Sequence, residues 1–312
     1  MPKPRILFMG TPAFAVPALA GLVKHGYPVI GVVTQPDRPR GRGRATAPSP
    51  VKLLAEGLGL TLLQPEKVRH PSFLARFREL APEIVVVAAF GQILPGEIIR
   101  GQREGCINIH PSLLPKYRGA APINWALIRG EEKTGVTIMR MDEGVDSGPI
   151  LLQEETPIGP TETFGQLHDR LATLGADLLL ITLAMLRAET LRPQPQDDRL
   201  ATTAPRLSRE DGLIRWEQDC RNIVSLVRGL SPTPCAYTRF GGKQLKVFMA
   251  EAETGSAAEA PGTVVGETAA GLRVAAANGY VLLQELQLEG KKRMAFNDFL
   301  RGVRIPPDLI LG

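Results

Sequence analysis

Six apolar residues in succession, Ile84-Val85-Val86-Val87-Ala88-Ala89, stand between Glu83 and Phe90 and admit few placements in a folded chain. A strand with one wetted face alternates polar and apolar residues. A run this uniform fits a strand buried on both sides, as in the middle of a parallel sheet. The sequence up to about Glu189 supports that reading. Further strands are expected at Ile6 to Met9, Val29 to Thr34 and Gly105 to His110, and helices fall between them. Val16, Leu19, Leu22 and Val23 recur at helical spacing before Gly26; Ser49-Pro50 has the chemistry of an N-cap followed by proline in the first turn; Ser72 to Leu80 fills the next crossover. Alternating strands and helices predict a doubly wound, mostly parallel, Rossmann-like α/β sheet covered on both faces.

Beyond His110 the pattern loosens. A helix is expected around Ala121 to Arg129 and strands at Val136 to Met141 and Ile150 to Glu154. Thr163-Phe164-Gly165-Gln166 resembles a capping box, opening a long helix whose apolar positions run from Phe164 through Leu171 and Leu178 to Met185. Residues 190–208 combine prolines, glutamines and charges without periodicity, which predicts a linker between a domain at 1–189 and a second at 209–312. The second begins with a short helix, Cys220 to Arg228, and continues as strands punctuated by Gly241-Gly242, Gly271 and Asn278-Gly279. Asn-Gly is a strong hairpin signal, so Leu272 to Ala277 and Tyr280 to Leu288 should pair. A small antiparallel β-barrel, OB-like among the options, is the expected architecture.

The formal charge of +5 matters less than its distribution. Arginines concentrate at Arg38, Arg40, Arg42 and Arg44, and a second basic group, Lys291, Lys292 and Arg293, is followed by Arg301 and Arg304. Such clusters suit phosphate backbones, although solvated surface charge has the same composition. Cys106, Cys220 and Cys235 lie in different predicted elements with no metal-ligand spacing, and fit reduced thiols filling the core of a cytosolic protein. The N-terminus enters its first strand with no distinct signal segment, and no apolar run reaches bilayer length, so a cytoplasmic protein without membrane contact is expected.

Ligands of open parallel sheets bind beyond the carboxyl ends of the strands, where Asn108 and His110 are expected on one strand face. Gly10-Thr11-Pro12-Ala13-Phe14 lies at another such end, but it lacks the glycine spacing of a dinucleotide site, and Pro12 removes a backbone donor. A structural turn is the better expectation there. Pro111 and Pro115 bracket a rigid loop whose Leu113 and Leu114, expected near solvent, would suit one wall of a pocket for a flat ring. A second loop, Met141-Asp142-Glu143-Gly144-Val145-Asp146-Ser147-Gly148-Pro149, adds carboxylates. Their spacing fails the calcium-loop pattern, and four scattered histidines offer no ligand set, so no metal is expected. If Asn108, His110 and Asp146 converge, they fit transfer of an acyl group to an amine. Donors would face the developing oxyanion and a carboxylate would accept the amine proton, without a Ser or Cys nucleophile.

These residues, with Gly10 to Pro17, the basic loop after Gln35-Pro36-Asp37, Asn108 to Pro115, Arg118-Gly119-Ala120-Ala121-Pro122, Asp142 to Pro149, Leu207 to Gly212 and Lys291-Lys292-Arg293-Met294, resemble the methionyl-tRNA formyltransferase family across nearly the whole chain. The Asn-x-His with a downstream Asp belongs to folate-dependent formyltransferases generally; the early Gly-Thr-Pro segment, the arginine loop and the second domain are more specific. The resemblance implies 10-formyltetrahydrofolate as formyl donor and initiator methionyl-tRNA as acceptor partner, with an enzyme expected to be monomeric. It implies catalytic roles for Asn108, His110 and Asp146. It places the folate against Ser112, Leu113, Leu114 and Pro115, against Gln92, Ile93 and Leu94, and against Asp142, Gly144 and Val145. It assigns tRNA contacts to Arg38, Arg40, Arg42 and Arg44 in the loop, Arg42 foremost, and to Lys291, Lys292 and Arg293 in the second domain. The sequence departs from the family pattern at Thr203, Thr233 and Ala295-Phe296-Asn297-Asp298. Two other readings stay open: a folate-dependent formyltransferase acting on a small amine, and an RNA-binding protein whose first domain is a scaffold.

Overall fold

The computed structural model describes residues 2–40, 45–306 and 308–312, without the side chains of 39, 40, 45 and 46. The chain begins with β1 (Ile6–Gly10), α1 (Val16–Lys24), β2 (Val29–Val33), a short hairpin of β3 (Arg38–Arg40) and β4 (Ala45–Ala47), α2 (Pro50–Gly57) and β5 (Leu62–Leu63). It continues with α3 (Pro71–Leu80), β6 (Ile84–Ala88), α4 (Gly96–Arg100), β7 (Cys106–His110), β8 (Arg118–Gly119), α5 (Pro122–Ile128), β9 (Lys133–Arg140), β10 (Ile150–Pro157) and α6 (Phe164–Arg187). After β11 (Thr203–Ala204) come α7 (Cys220–Leu230), β12 (Ala236–Phe240), β13 (Lys243–Thr254), β14 (Val264–Thr268), β15 (Gly271–Ala276), β16 (Gly279–Leu288), β17 (Met294–Ala295) and α8 (Phe296–Gly302).

The first sheet has the strand order β10-β9-β7-β6-β1-β2-β5. β1 pairs in parallel with β2 and β6, β6 with β7, and β2 with β5; β9 joins β7 antiparallel. β1 and β6 are buried at every position, as the uniform apolar run requires. The chain leaves β1 toward β2 and β5, then returns to β6 on the other side. The carboxyl ends of β1 and β6 therefore flank the reversal in strand order. There Thr11 Oγ1 donates to Phe90 O at 3.1 Å. Gly10 allows the close approach, since a Cβ would lie 2.7 Å from Ala15 Cβ and 3.0 Å from Ala88 O. The segment that follows is a structural turn, with Pro12 preceding a 3-10 turn at Ala13–Ala15 that leads into α1.

Local signals explain where several helices begin. Ser49 Oγ accepts from Lys52 N, the N-cap anticipated before Pro50. Gln166 Oε1 accepts from the Thr163 backbone N–H at 2.9 Å, the backward arm of the capping box. α6 covers the sheet closely because Gly175 lacks a side chain: a Cβ would meet Ile109 Cγ2 at 2.7 Å and Val136 Cγ1 at 3.4 Å.

Two compact units form, and neither is a continuous stretch of chain. The first comprises Met1–Gly119, Thr134–Pro157 and His168–Thr203; the second comprises Ala120–Lys133, Ile158–Leu167 and Ala204–Gly312. The expected division at 1–189, 190–208 and 209–312 follows chain order, whereas these units each gather separate segments. The physical reason lies in packing between distant segments. Asn124 Nδ2 of α5 donates to Gly229 O of α7 at 2.7 Å, and a Cβ at Gly229 would fall 2.6 Å from Ile128 Cγ1. Arg228, whose pKa burial lowers, donates to Glu162 O and Gly159 O at 3.0 and 2.8 Å.

In the second unit the antiparallel sheet runs β12-β13-β16-β15-β14, with β17 on β16. The Asn278-Gly279 turn joins β15 to β16 in the expected hairpin. The hydrogen-bonded path is open at β12 and β14, and α7 and α8 contribute Ile223, Val227, Phe296 and Phe299 to the core against its strands. Among the described residues, no helix is long and apolar enough to cross a membrane.

Gly175→Val should lower unfolding stability by about 1–3 kcal/mol by forcing a branched side chain against Ile109, a cost readable in urea denaturation. An unchanged midpoint would show that the helix does not need this approach. A second test concerns the buried thiols. Burial pushes Cys106 and Cys235 from an ordinary 9.0 up to about 12. The folded state therefore keeps them protonated while unfolded chains ionise, so their stabilising contribution is intact below pH 9 and is lost as pH rises toward 12. Replacing both by Ala should flatten the alkaline fall in stability; an equally steep fall would assign it to other groups.

Candidate active site

β7 carries Asn108 and His110 to the carboxyl end of the sheet. Strand alternation sets them on the face opposite Ile109, which meets α6. His110 is only 4% exposed, and its ring lies between two acceptors. Nε2 is 3.0 Å from Tyr117 O, and a carbonyl can only accept, so that nitrogen bears a proton. Nδ1 is 3.6 Å from Asp146 Oδ2. A doubly protonated ring can serve both acceptors. Asn108 Nδ2 lies 3.5 Å from Asp146 Oδ1, leaving a second amide hydrogen for another partner. The structure thus brings together all three residues expected to converge.

Asp146 is fixed by its backbone as well as by its side chain. Its φ of 51° is left-handed, a conformation Asp tolerates better than most residues. Gly119 N donates to Oδ2 at 2.9 Å, while Gln196 Nε2 donates to the Asp146 carbonyl at 2.8 Å and the Gly148 carbonyl at 2.7 Å. Upstream, Asp142 Oδ1 accepts from Gly144 N at 3.0 Å and Ser147 Oγ at 2.9 Å, folding the loop upon itself. Glu143 pairs with Arg100 at the end of α4.

The loop after β7 differs from the sequence expectation. Leu114 is 3% exposed and Ser112 is fully buried, so neither lines an open wall. The cause is a polar clamp from the neighbouring strands. Thr137 Oγ1 donates to Ser112 O at 2.6 Å and accepts from Leu114 N at 3.2 Å, while Gln153 Nε2 donates to Leu114 O at 3.0 Å. Leu113 packs over the bare backbone of Gly135, and Ser112 Oγ donates to Lys116 O at 2.7 Å. Pro115 O accepts from Thr202 N at 3.3 Å. Of the residues expected to contact the folate, the exposed aliphatic ones are Ile93, at 95%, and Val145, at 70%. Leu94 enters the core, and Gln92 holds its neighbours by accepting from Val68 N at 3.0 Å and donating to Gln35 Oε1 and Glu66 O, each at 3.3 Å.

Of the first basic cluster, Arg38 lies on β3 and its Nη2 reaches Gln35 Oε1 at 3.5 Å. Arg42 and Arg44, and the side chain of Arg40, lie outside the described residues. The preceding Asp37 is held by Lys52 at 2.5 Å and Gln64 at 2.9 Å, and the Lys52 ammonium keeps its carboxyl below the usual range. In the second cluster, Lys291 Nζ donates to Gly302 O at the end of α8 at 2.8 Å. Arg293 makes two 2.6 Å hydrogen bonds to Glu285 and stacks 4.3 Å from the Phe248 ring centre. Lys292 is exposed.

Sequence reasoning missed Tyr117, Thr137 and Gln196. Tyr117 acts through its carbonyl and Thr137 through its hydroxyl on a neighbouring strand, roles that no spacing announces, and Gln196 lies in a segment with linker composition. Among the described residues, no His, Cys, Asp or Glu group could hold a metal ion.

Comparison with known proteins agrees with this architecture. The family model described as formyl transferase matches residues 4–183, and the one described as formyl transferase, C-terminal domain, matches residues 206–304. A methionyl-tRNA formyltransferase of Syntrophus aciditrophicus is 54% identical over 312 residues, covering 100% of both chains. One of Geobacter metallireducens is 50% identical over 307 residues, covering 98% of each. Among solved structures, HypX from Aquifex aeolicus in complex with tetrahydrofolic acid shares the fold with a TM-score of 0.66 at 18% identity, over 98% of this chain and 49% of that one. The chain belongs to the formyl transferase family.

Proposed function

We propose that this chain transfers the formyl group of 10-formyltetrahydrofolate to the α-amino group of methionyl initiator tRNA. The observation that carries the chemistry is the meeting of an amide, an imidazole and a carboxylate at one strand end, with Asp146 within 3.6 Å of both partners. Similarity over the full length to proteins named methionyl-tRNA formyltransferase supports the acceptor. The exposed Ile93 and Val145 offer apolar contact for a pterin ring. In this reading the donor rests against Gln92, Ile93 and the main chain of Leu94, the main chain of Ser112 to Pro115, and the loop containing Asp142, Gly144 and Val145. Bound there, it supplies a one-carbon unit at the oxidation level of formate.

Each residue then has a distinct task. Asn108 donates its remaining N–H to the formyl oxygen as negative charge gathers there during amine attack. Asp146 accepts the proton that the attacking amine loses, directly or through water. His110, expected alongside Asn108 as an oxyanion donor, instead has Nε2 at Tyr117 O and Nδ1 facing Asp146, and in this reading it orients that carboxylate. The new carbon–nitrogen bond forms as the bond to folate N10 breaks, and the proton released by the amine is returned to that nitrogen. The first compact unit houses this chemistry. The second supports the tRNA with Lys292 and the flanking basic residues, while Arg38, Arg40, Arg42 and Arg44 approach its acceptor end. The enzyme works as a monomer in the cytoplasm.

Asp146→Asn preserves the side-chain shape, tolerates the left-handed backbone and keeps an acceptor for Gly119 N, so the fold should persist. Its kcat for formylation of charged initiator tRNA should fall by about 10²–10⁴. Near-normal turnover by the folded variant would remove the carboxylate from the chemistry. The acceptor is tested separately. KM for tRNA should rise steeply with salt as counterion release is suppressed, whereas a small amine acceptor would show a shallow dependence.

A further inference from the structure

We infer that Gln196 is a positioning residue for Asp146, an inference that rests on the catalytic role proposed above for that carboxylate. Gln196 lies in the segment that composition marks as a linker, yet its carboxamide is hydrogen-bonded on both sides. Nε2 gives its two hydrogens to Asp146 O at 2.8 Å and Gly148 O at 2.7 Å. Oε1 accepts from Arg118 Nε at 3.1 Å and Arg118 Nη2 at 2.8 Å. The partners fix the orientation of the amide, because carbonyls require donors on one side and a guanidinium requires an acceptor on the other.

The connection passes through both supports of the carboxylate. On one side Gln196 holds the carbonyl of Asp146, whose left-handed φ aims the side chain. On the other it holds Arg118, adjacent to Gly119, whose N–H contacts Asp146 Oδ2. Both ends are anchored. Gly148 lies tight against β9, with its missing Cβ position 1.9 Å from Arg140 O. Gln194, two residues before Gln196, exchanges two 2.8 Å main-chain hydrogen bonds with Ile150. Arg118 is further held by Asp198 at 2.8 Å. One amide therefore couples the two segments that set the position of Asp146 against Asn108 and His110.

The test uses the full-length enzyme with 10-formyltetrahydrofolate and charged initiator tRNA. Gln196→Met removes the amide at similar length, while Gln196→Glu keeps an acceptor for Arg118 and loses both donors to the loop. Folding is verified by circular dichroism, and rates are normalised to the folded fraction. Each variant should lose about 10- to 100-fold in kcat, the scale of a misplaced catalytic group, while KM for both substrates changes less than about 2-fold. In an Asp146→Asn background, Gln196→Met should produce little further loss, because the group it positions is already disabled. Wild-type kcat in either folded single variant, a loss confined to KM, or full multiplicative losses in the double variant would overturn the inference. Normal turnover by Asp146→Asn alone would instead remove the catalytic reading on which it rests.

Discussion

The arrangement at the strand end depends on holding one carboxylate where a flexible loop would otherwise carry it away. Asp146 follows Gly144 and Val145 in an exposed turn, and its side chain must stay near a strand that ended long before it. A left-handed backbone angle, a peptide N–H from Gly119 and a carboxamide from Gln196 together restrict it. Each element is weak alone. A neutral hydrogen bond such as that from Gln196 contributes about 0.5–1.5 kcal/mol net and one to a carboxylate about 1.5–3, and only their agreement selects one loop geometry. The sheet supplies the fixed reference, since Asn108 and His110 are paired into a ladder opposite Met139 and Thr137.

Much of the first sheet was legible because its strands must satisfy burial on both faces. The run at Ile84 to Ala89 and the helix signals at Ser49-Pro50 and Thr163 to Gln166 point to one architecture, and agreement between such levels is what makes a fold specific. β5, of only two residues, and the β3–β4 hairpin carry too little pattern to be read. The unit boundaries were illegible for another reason. α5 sits within the sequence of the first unit, and its apolar composition says that it is buried without saying what buries it. The answer lies in Gly229 and Asn124, whose complementarity exists only in three dimensions.

The three converging residues were legible as chemical types at a strand end. Their supports were not. Tyr117 contributes a carbonyl, Gly119 an N–H, and Gln196 an amide from a segment rich in prolines, so side-chain identity signals little of their use. The basic segments show the opposite problem. Lys291 and Arg293 look like a recognition cluster by composition, yet one bonds the end of a helix and the other is engaged by Glu285 and Phe248. A phosphate must compete with these existing partners, whereas charge density alone would treat all three cations alike.

The threading of the chain through both units bears on how the protein reaches its native state during synthesis. α5 buries Pro122, Ile123, Asn124, Ala126 and Leu127, but its hydrogen-bonded partner at Gly229 lies 105 residues downstream of Asn124. An emerging N-terminal half must therefore carry an unmatched apolar helix until α7 leaves the ribosome. Such long-range closure slows folding and leaves an adhesive surface exposed in the interval. Cutting the chain at the apparent linker would leave this helix without the α7 backbone it packs against.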